Sequence, residues 1–366
     1  MTETGLADGA AVDVAVSIAD HSRPSSRTRR RESGALMTAV DRKQRDEKTN
    51  GRIAALDIGG HDLKVYVTGG GEPDCYLTIP TNLRGAVGTA GGLDMEAYEV
   101  TRSGLQQVAE AIKQAGAEEA RVTTCSAGRS MNSAAIATLR SDVESMLNAD
   151  LVIVPGEMEA ELGFYGALSV VSVGSSVQKV VTVDVGGGST ELAAGTLDRG
   201  VTATVSMPVG GSSLKQMVNG ERFDVESVEY AVDDFVSDVD LSPFRWAPGT
   251  AYVIIGGIAS TLAAWMRDAG TMDPQAMDGV ELLVDELAAA GEMFFRLSPE
   301  EMAGSGCVIA GREDSIGYAG LVLSIVLTAL KAQTVVVSSG GVVQALTDDD
   351  RWNRLRRAAS RGSQRQ

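Results

Sequence analysis

Thiol and imidazole side chains are scarce in this chain, whose 366 residues include three cysteines and two histidines. Cys75, Cys125 and Cys307 lie far apart with no CxxC spacing, and His21 and His61 complete the set of soft metal ligands. That pattern argues against a zinc site or a disulfide framework. Aromatic residues make up 4% of the chain, too few for a base-stacking platform on single-stranded nucleic acid. The longest strongly apolar run, Ala319 to Leu330, is too short to span a bilayer and reads as a buried helix. With no signal-peptide core at the N-terminus, a cytoplasmic protein with no membrane partner is expected. The chain also lacks a Walker A loop, a G-x-G-x-x-G turn from strand into helix, and a G-x-S-x-G elbow. P-loop, Rossmann and Ser-His-Asp chemistry are thereby set aside.

Positive charge is short in the body of the chain. Residues 51–346 carry 17 basic against 38 acidic side chains, within a formal net charge of -17 overall. Such a body offers no general polyanion surface, so no specific nucleic-acid partner is expected. An anionic ligand would have to be held locally by backbone N-H groups, a few cations or a metal.

What the chain does have is alternation. Residues 1–50 mix Ser, Thr, Arg and acids without periodicity and read as a disordered tail, and the arginine-rich residues 348–366 read as a basic, solvated tail. Between them, strand candidates (52–57, 63–67, 121–126, 151–154, 179–185, 191–196, 203–207, 251–256 and 334–338) interleave with helix candidates near 96–115, 132–147, 157–168, 225–238, 259–268, 281–294 and 315–331. This is the pattern of an α/β protein. A repeat divides it: IAALDIGGHDLKVYV (53–67) aligns without gaps on VVTVDVGGGSTELAA (180–194), pairing Asp57 with Asp184, Gly59 with Gly186 and Gly60 with Gly187. Two copies of one hairpin at domain spacing predict duplicated domains, 51–155 and 156–347, presenting glycine turns to a shared cleft.

A glycine turn lets backbone N-H groups converge on an anion with no Cβ in the way. Ser189 and Thr190 add hydroxyl donors to Gly186, Gly187 and Gly188, and Asp184 at the strand end can coordinate Mg²⁺. Between the turns lies PGEMEAELGFYGAL (155–168). On a helix, Glu157 and Glu161 share one face while Glu159 points roughly opposite, so one side is solvated and the other aimed inward, and an inward carboxylate beside a phosphate cleft could activate a water.

These pieces, in this order, resemble the exopolyphosphatase and guanosine pentaphosphate phosphohydrolase (Ppx/GppA) family in its short two-domain form. DVGGGSTEL is the most specific match, supported by CSAGRSMNS (125–133), SMPVGGSSL (206–214), IIGGIASTLAAW (254–265) and GREDSIGYAGLVL (311–323). The resemblance implies duplicated ribonuclease-H-like, actin-like ATPase domains with an interdomain cleft, Mg²⁺ as cofactor and a possible homodimer. Its first phosphate loop falls on Asp57 to Asp62, including Gly59, Gly60 and His61, and its second on Asp184 to Glu191. Glu159 takes the place of the catalytic glutamate, and Glu191 of a second acidic group. Arg129 becomes a phosphate clamp, Asn132 the motif's asparagine, and Asp57 and Asp184 the metal carboxylates.

The chain departs from the family pattern at four points. Gly60 stands where a hydroxyl is usual, Asp62 adds a carboxylate that would repel a polyanion if it faced the cleft, Glu161 replaces an arginine and Ile258 a threonine. Arg312 and Asp314 read as a structural pair. Three functions follow: a Mg²⁺-dependent phosphohydrolase acting on polyphosphate or guanosine pentaphosphate, a binding-only sensor of the same fold, or an actin-like-fold ATPase or kinase.

Overall fold

A computed structural model describes residues 17–18, 51–72, 74–218, 225–309 and 311–362, so the expected tail at 1–50 lies almost wholly outside the described residues. Two six-stranded sheets carry the fold. The first is formed by β1 (Ser17–Ile18), β2 (Arg52–Ile58), β3 (Asp62–Gly69), β4 (Cys75–Pro80), β5 (Glu119–Thr124) and β6 (Leu151–Ile153), in the order β1-β4-β3-β2-β5-β6. The second is formed by β7 (Lys179–Val185), β8 (Thr190–Thr196), β9 (Gly200–Met207), β10 (Thr250–Ile255), β11 (Glu281–Leu283) and β12 (Thr334–Ser338), in the order β11-β12-β10-β7-β8-β9.

The expected duplication is visible in the pairing. In both sheets the strand carrying the key aspartate pairs antiparallel with the next strand and parallel with a later one, β2 with β3 and β5, β7 with β8 and β10. Register makes the equivalence residue by residue, because Asp57 lies opposite Lys64 and Asp184 opposite Glu191. These central strands are buried on both faces, which is why they read as nearly continuous apolar runs.

Helices cover both faces of each sheet. Over the first lie α1 (Leu83–Ala86), α2 (Met95–Gln114), α3 (Ser126–Arg129) and α4 (Ser133–Leu147). Asp94 caps α2 by accepting from the N-H groups of Glu96 and Ala97, and Asn132 caps α4 by accepting from that of Ala135. Asn132 is therefore a helix cap. The helix α5 (Gly156–Val170) packs Ala160, Phe164 and Ala167 against the second sheet. The other face of that sheet is covered by α6 (Gly211–Met217), α7 (Val225–Ser237), α8 (Gly257–Met266), α9 (Val284–Arg296), α10 (Pro299–Gly304) and α11 (Ile316–Ala329).

Three expectations are corrected. Residues 281–283, read as the start of a helix, form the edge strand β11, and β4 had not been recognised at all. The expected basic tail is a helix, α13 (Asp349–Gly362), whose Trp352 and Leu355 are buried. Together with α12 (Val342–Leu346) it packs against Ala55 and Val152 of the first sheet. From residue 342 the chain packs on the first sheet as well as on α5.

Candidate functional site

The two hairpin turns meet across one cleft. Gly59 N donates to Asp62 O at 2.9 Å, and Gly186 N donates to Ser189 O at 2.9 Å, so the duplicated turns close in the same way. Their approach demands glycine. A Cβ on Gly187 would stand 2.9 Å from His61 Cε1, and one on Gly188 would collide with Ser126 Oγ. Gly59, Gly60, His61, Gly186, Gly187, Gly188 and Ser189 all line the cleft, as the sequence predicts.

At its floor lie Asp57 and Asp184, each one residue from the end of its strand. Asp57 Oδ1 accepts from Thr123 Oγ1 at 3.1 Å and from Cys125 Sγ at 3.4 Å. Burial raises the pKa of both carboxyls, opposed chiefly by the ammonium charge of Lys64. Among the described residues no cluster of three or more His, Cys, Asp or Glu side chains is arranged to hold a metal. Two hard carboxylates in a cleft still suit Mg²⁺, which keeps several waters and completes its shell with phosphate oxygens.

Glu159 sits in the first turn of α5 and points into the cleft, while Glu157 is exposed and Glu161 pairs with Arg354 of α13. The charge at position 161 therefore acts outside the cleft, balanced by that arginine. Glu159 Oε2 accepts from Arg129 Nη1 at 2.6 Å, and the side chain is 13% exposed. Burial pushes its pKa up to about 7, the Arg129 charge opposing and the Asp57 and Asp184 charges reinforcing. Glu191 is also buried, raised well above the usual range by burial and by the Glu159 charge, with Ser206 Oγ donating to its Oε1 at 2.7 Å. Arg129 joins the two carboxylates. Its Nη2 lies 3.4 Å from Glu191 Oε1 and donates to Ser189 Oγ at 3.1 Å. The guanidinium predicted to clamp phosphate is here engaged by glutamates and by the second turn.

Two predicted roles are corrected by position. Thr190 is fully buried and donates its hydroxyl to Val209 O at 2.6 Å, so it fastens the hairpin and leaves the cleft to Ser189. Arg312 pairs across the cleft with Asp62 at 2.6 Å, while Asp314 pairs with Lys215 at 3.3 Å. Burial would raise the Asp62 carboxyl, but the charges of Arg312 and Lys64 outweigh it and hold the pKa below the usual range. Asp62 is therefore a neutralised anion. His61 bonds Ser212 Oγ through Nε2 at 3.1 Å, and burial, with Arg312 nearby, lowers its pKa to about 4. As a neutral ring it offers a phosphate one N-H at most.

Three further cations line the cleft, Lys64, Arg84 and Arg312, of which the motifs passed over the first two and set Arg312 in a structural pair. Lys64 had a signal, since the repeat aligns it with Glu191. The cleft lining also includes the apolar side chains Ile258, Met272, Pro274 and Ile309.

Comparisons with known proteins agree with this geometry. The model of the Ppx/GppA phosphatase family matches residues 79–350. Exopolyphosphatase 2 of Mycobacterium tuberculosis is 25% identical over 302 residues, covering 74% of this chain and 88% of that protein. Among solved structures, an exopolyphosphatase-like protein superposes with a TM-score of 0.72 at 22% identity, over 83% of this chain and 99% of its own. An exopolyphosphatase from Cytophaga hutchinsonii gives 0.69 at 19% identity, over 83% and 98%. The shared fold is the one described above, two six-stranded mixed sheets of matching pairing around one cleft.

Proposed function

The chain belongs to the Ppx/GppA phosphatase family, and from that premise we propose that it is a Mg²⁺-dependent phosphohydrolase releasing the terminal phosphate of inorganic polyphosphate or guanosine pentaphosphate. The observation that carries this reading is the placement of Glu159, a buried carboxylate with a pKa of about 7, beside two facing glycine turns. The turns bind successive phosphates through backbone N-H groups. Asp57 and Asp184 would hold Mg²⁺, which would offset charge developing on the phosphate oxygens. Glu159 takes a proton from water as the water oxygen attacks the terminal phosphorus. The bridging P-O bond breaks, and its electron pair leaves with the shortened chain. Arg129 orients Glu159 and lies within 3.4 Å of Glu191 behind it.

The apolar side chains Ile258, Met272, Pro274 and Ile309 in the cleft lining favour guanosine pentaphosphate as one substrate, since a nucleoside could pack on them and a bare phosphate chain has no use for them. A substrate panel with phosphate readout, run with Mg²⁺ and after its removal, tests the proposal. Turnover without metal, or none on any chain-terminal phosphoanhydride, ends it. Tight binding with no release favours the sensor.

A further inference from the structure

The first glycine turn lacks the hydroxyl that the family pattern places at position 60, and the structure sets a guanidinium beside the gap. Arg84 belongs to α1, which docks on that turn: the Arg84 backbone N-H donates to Gly60 O at 2.9 Å. A Cβ on Gly60 would stand 3.1 Å from Arg84 Cβ, tighter than ordinary van der Waals contact. Glycine at 60 therefore lets the arginine stem lie against the turn. The side chain then reaches the other domain. Nη1 comes within 3.4 Å of where a Cβ on Gly188 would sit, and Nη2 donates to Gln216 Oε1 at 3.0 Å.

Its electrostatic surroundings differ from those of the other cleft cations. Arg129 is held by Glu159 and Glu191, Arg312 by Asp62, and Lys64 lies in the fields of Asp62 and Asp184. Among the described residues no carboxylate lies within ion-pair distance of Arg84, and its side chain meets only a neutral amide. A half-buried cation loses hydration, and burial alone depresses its pKa. An anion between the two turns would restore the balance.

We infer that Arg84 is the anion-binding cation at the junction of the two turns, gripping non-bridging oxygens of a phosphate that straddles Gly60 and Gly188. In this chain the guanidinium replaces the donor lost at position 60, and its planar fork suits two oxygens of one phosphate. The inference rests on the phosphohydrolase reading.

The test is calorimetric titration of inorganic tripolyphosphate, with Mg²⁺, into the full chain carrying Glu159→Gln, alone and combined with Arg84→Ala or Arg84→Lys. Loss of Arg84 is expected to weaken binding about 10- to 100-fold, the range of a charged hydrogen-bond pair. Lysine, which keeps the charge and loses the fork, is expected to fall between. Equal affinity of the alanine variant and its parent overturns the role of Arg84 while leaving the functional reading intact. A parent that binds no tripolyphosphate fails the functional reading, and the Arg84 assignment with it. Should the alanine variant melt early, the lysine variant decides alone, and parental affinity in it overturns the assignment.

Discussion

At Glu159 burial and ionisation act against each other. Its folded pKa of about 7 lies above the usual 4.5, so the folded state binds the proton more tightly than the unfolded chain does. The contribution of this group to stability is consequently greatest below pH 4.5, declines as pH rises to about 7 and levels off beyond, a cost on the order of 3 kcal/mol. A general base is needed in its ionised form, so hydrolysis is expected to fall as pH drops below about 7. Glu159→Gln is expected to lose about 10²- to 10⁴-fold in turnover while retaining phosphate binding, and to melt higher than wild type at pH 8, with the difference vanishing near pH 4. Phosphate release and thermal melts across pH check both, and equal turnover would remove Glu159 from the mechanism. Glu159 was legible in sequence because helical spacing separates it from Glu157 and Glu161 and the family resemblance picks its face. Asp57, Asp184 and the glycines were legible because a turn is a local object that repeats. Arg84 and Arg312 were not. Each gains its meaning from a residue more than 100 positions away, Gly188 and Asp62 respectively.

Most elements followed directly from periodicity, and the misses share a cause. The strand β4 mixes Cys75, Tyr76 and Thr78 with few apolar residues because it lies near the sheet edge, where only alternate residues are buried. The helix α13 looked like a solvated basic run because its buried contacts rest on Trp352 and Leu355, three residues apart, amid arginines. Two of those arginines have partners that local patterns do not show, Arg354 with Glu161 and Arg356 with Asp150, while Arg351 pairs locally with Asp348. Beneath them Arg121, 2% exposed, bonds Glu119, Asp349 and Leu346 O. Trp352→Ala is expected to cost about 3 to 5 kcal/mol of unfolding free energy, read by urea denaturation. Truncation after Thr347 should cost more, because it also removes Asp349 from the buried Arg121. A truncated chain as stable as wild type would mean that α13 contributes no net stability.

On the scale of the whole molecule, the cleft is spanned by polar bonds: Asp62 to Arg312, His61 to Ser212, Arg84 to Gln216 and Arg129 to Glu191. The first of these has the greatest leverage, because both side chains are nearly buried, at 6% and 15% exposure, and 250 residues separate them. Asp62 also competes with any phosphate for Arg312. Its depressed pKa keeps the pair intact throughout the neutral range, and it is lost only as pH falls through the folded pKa, below 3.8. Acidification to pH 5 will therefore not release it, whereas Asp62→Asn will. Because α12 and α13 still join the chain's end to the first sheet, the expected consequence is opening of the cleft with both sheets preserved. Hydrogen exchange should quicken at residues 59–62 and 311–316 and remain slow in β2 and β7. With Arg312 freed and a negative charge removed, tripolyphosphate should bind several-fold more tightly. Unchanged exchange at both loops would show that the pair does not hold the cleft closed. Weaker binding would show that Asp62 supports the ligand site and does not compete with it.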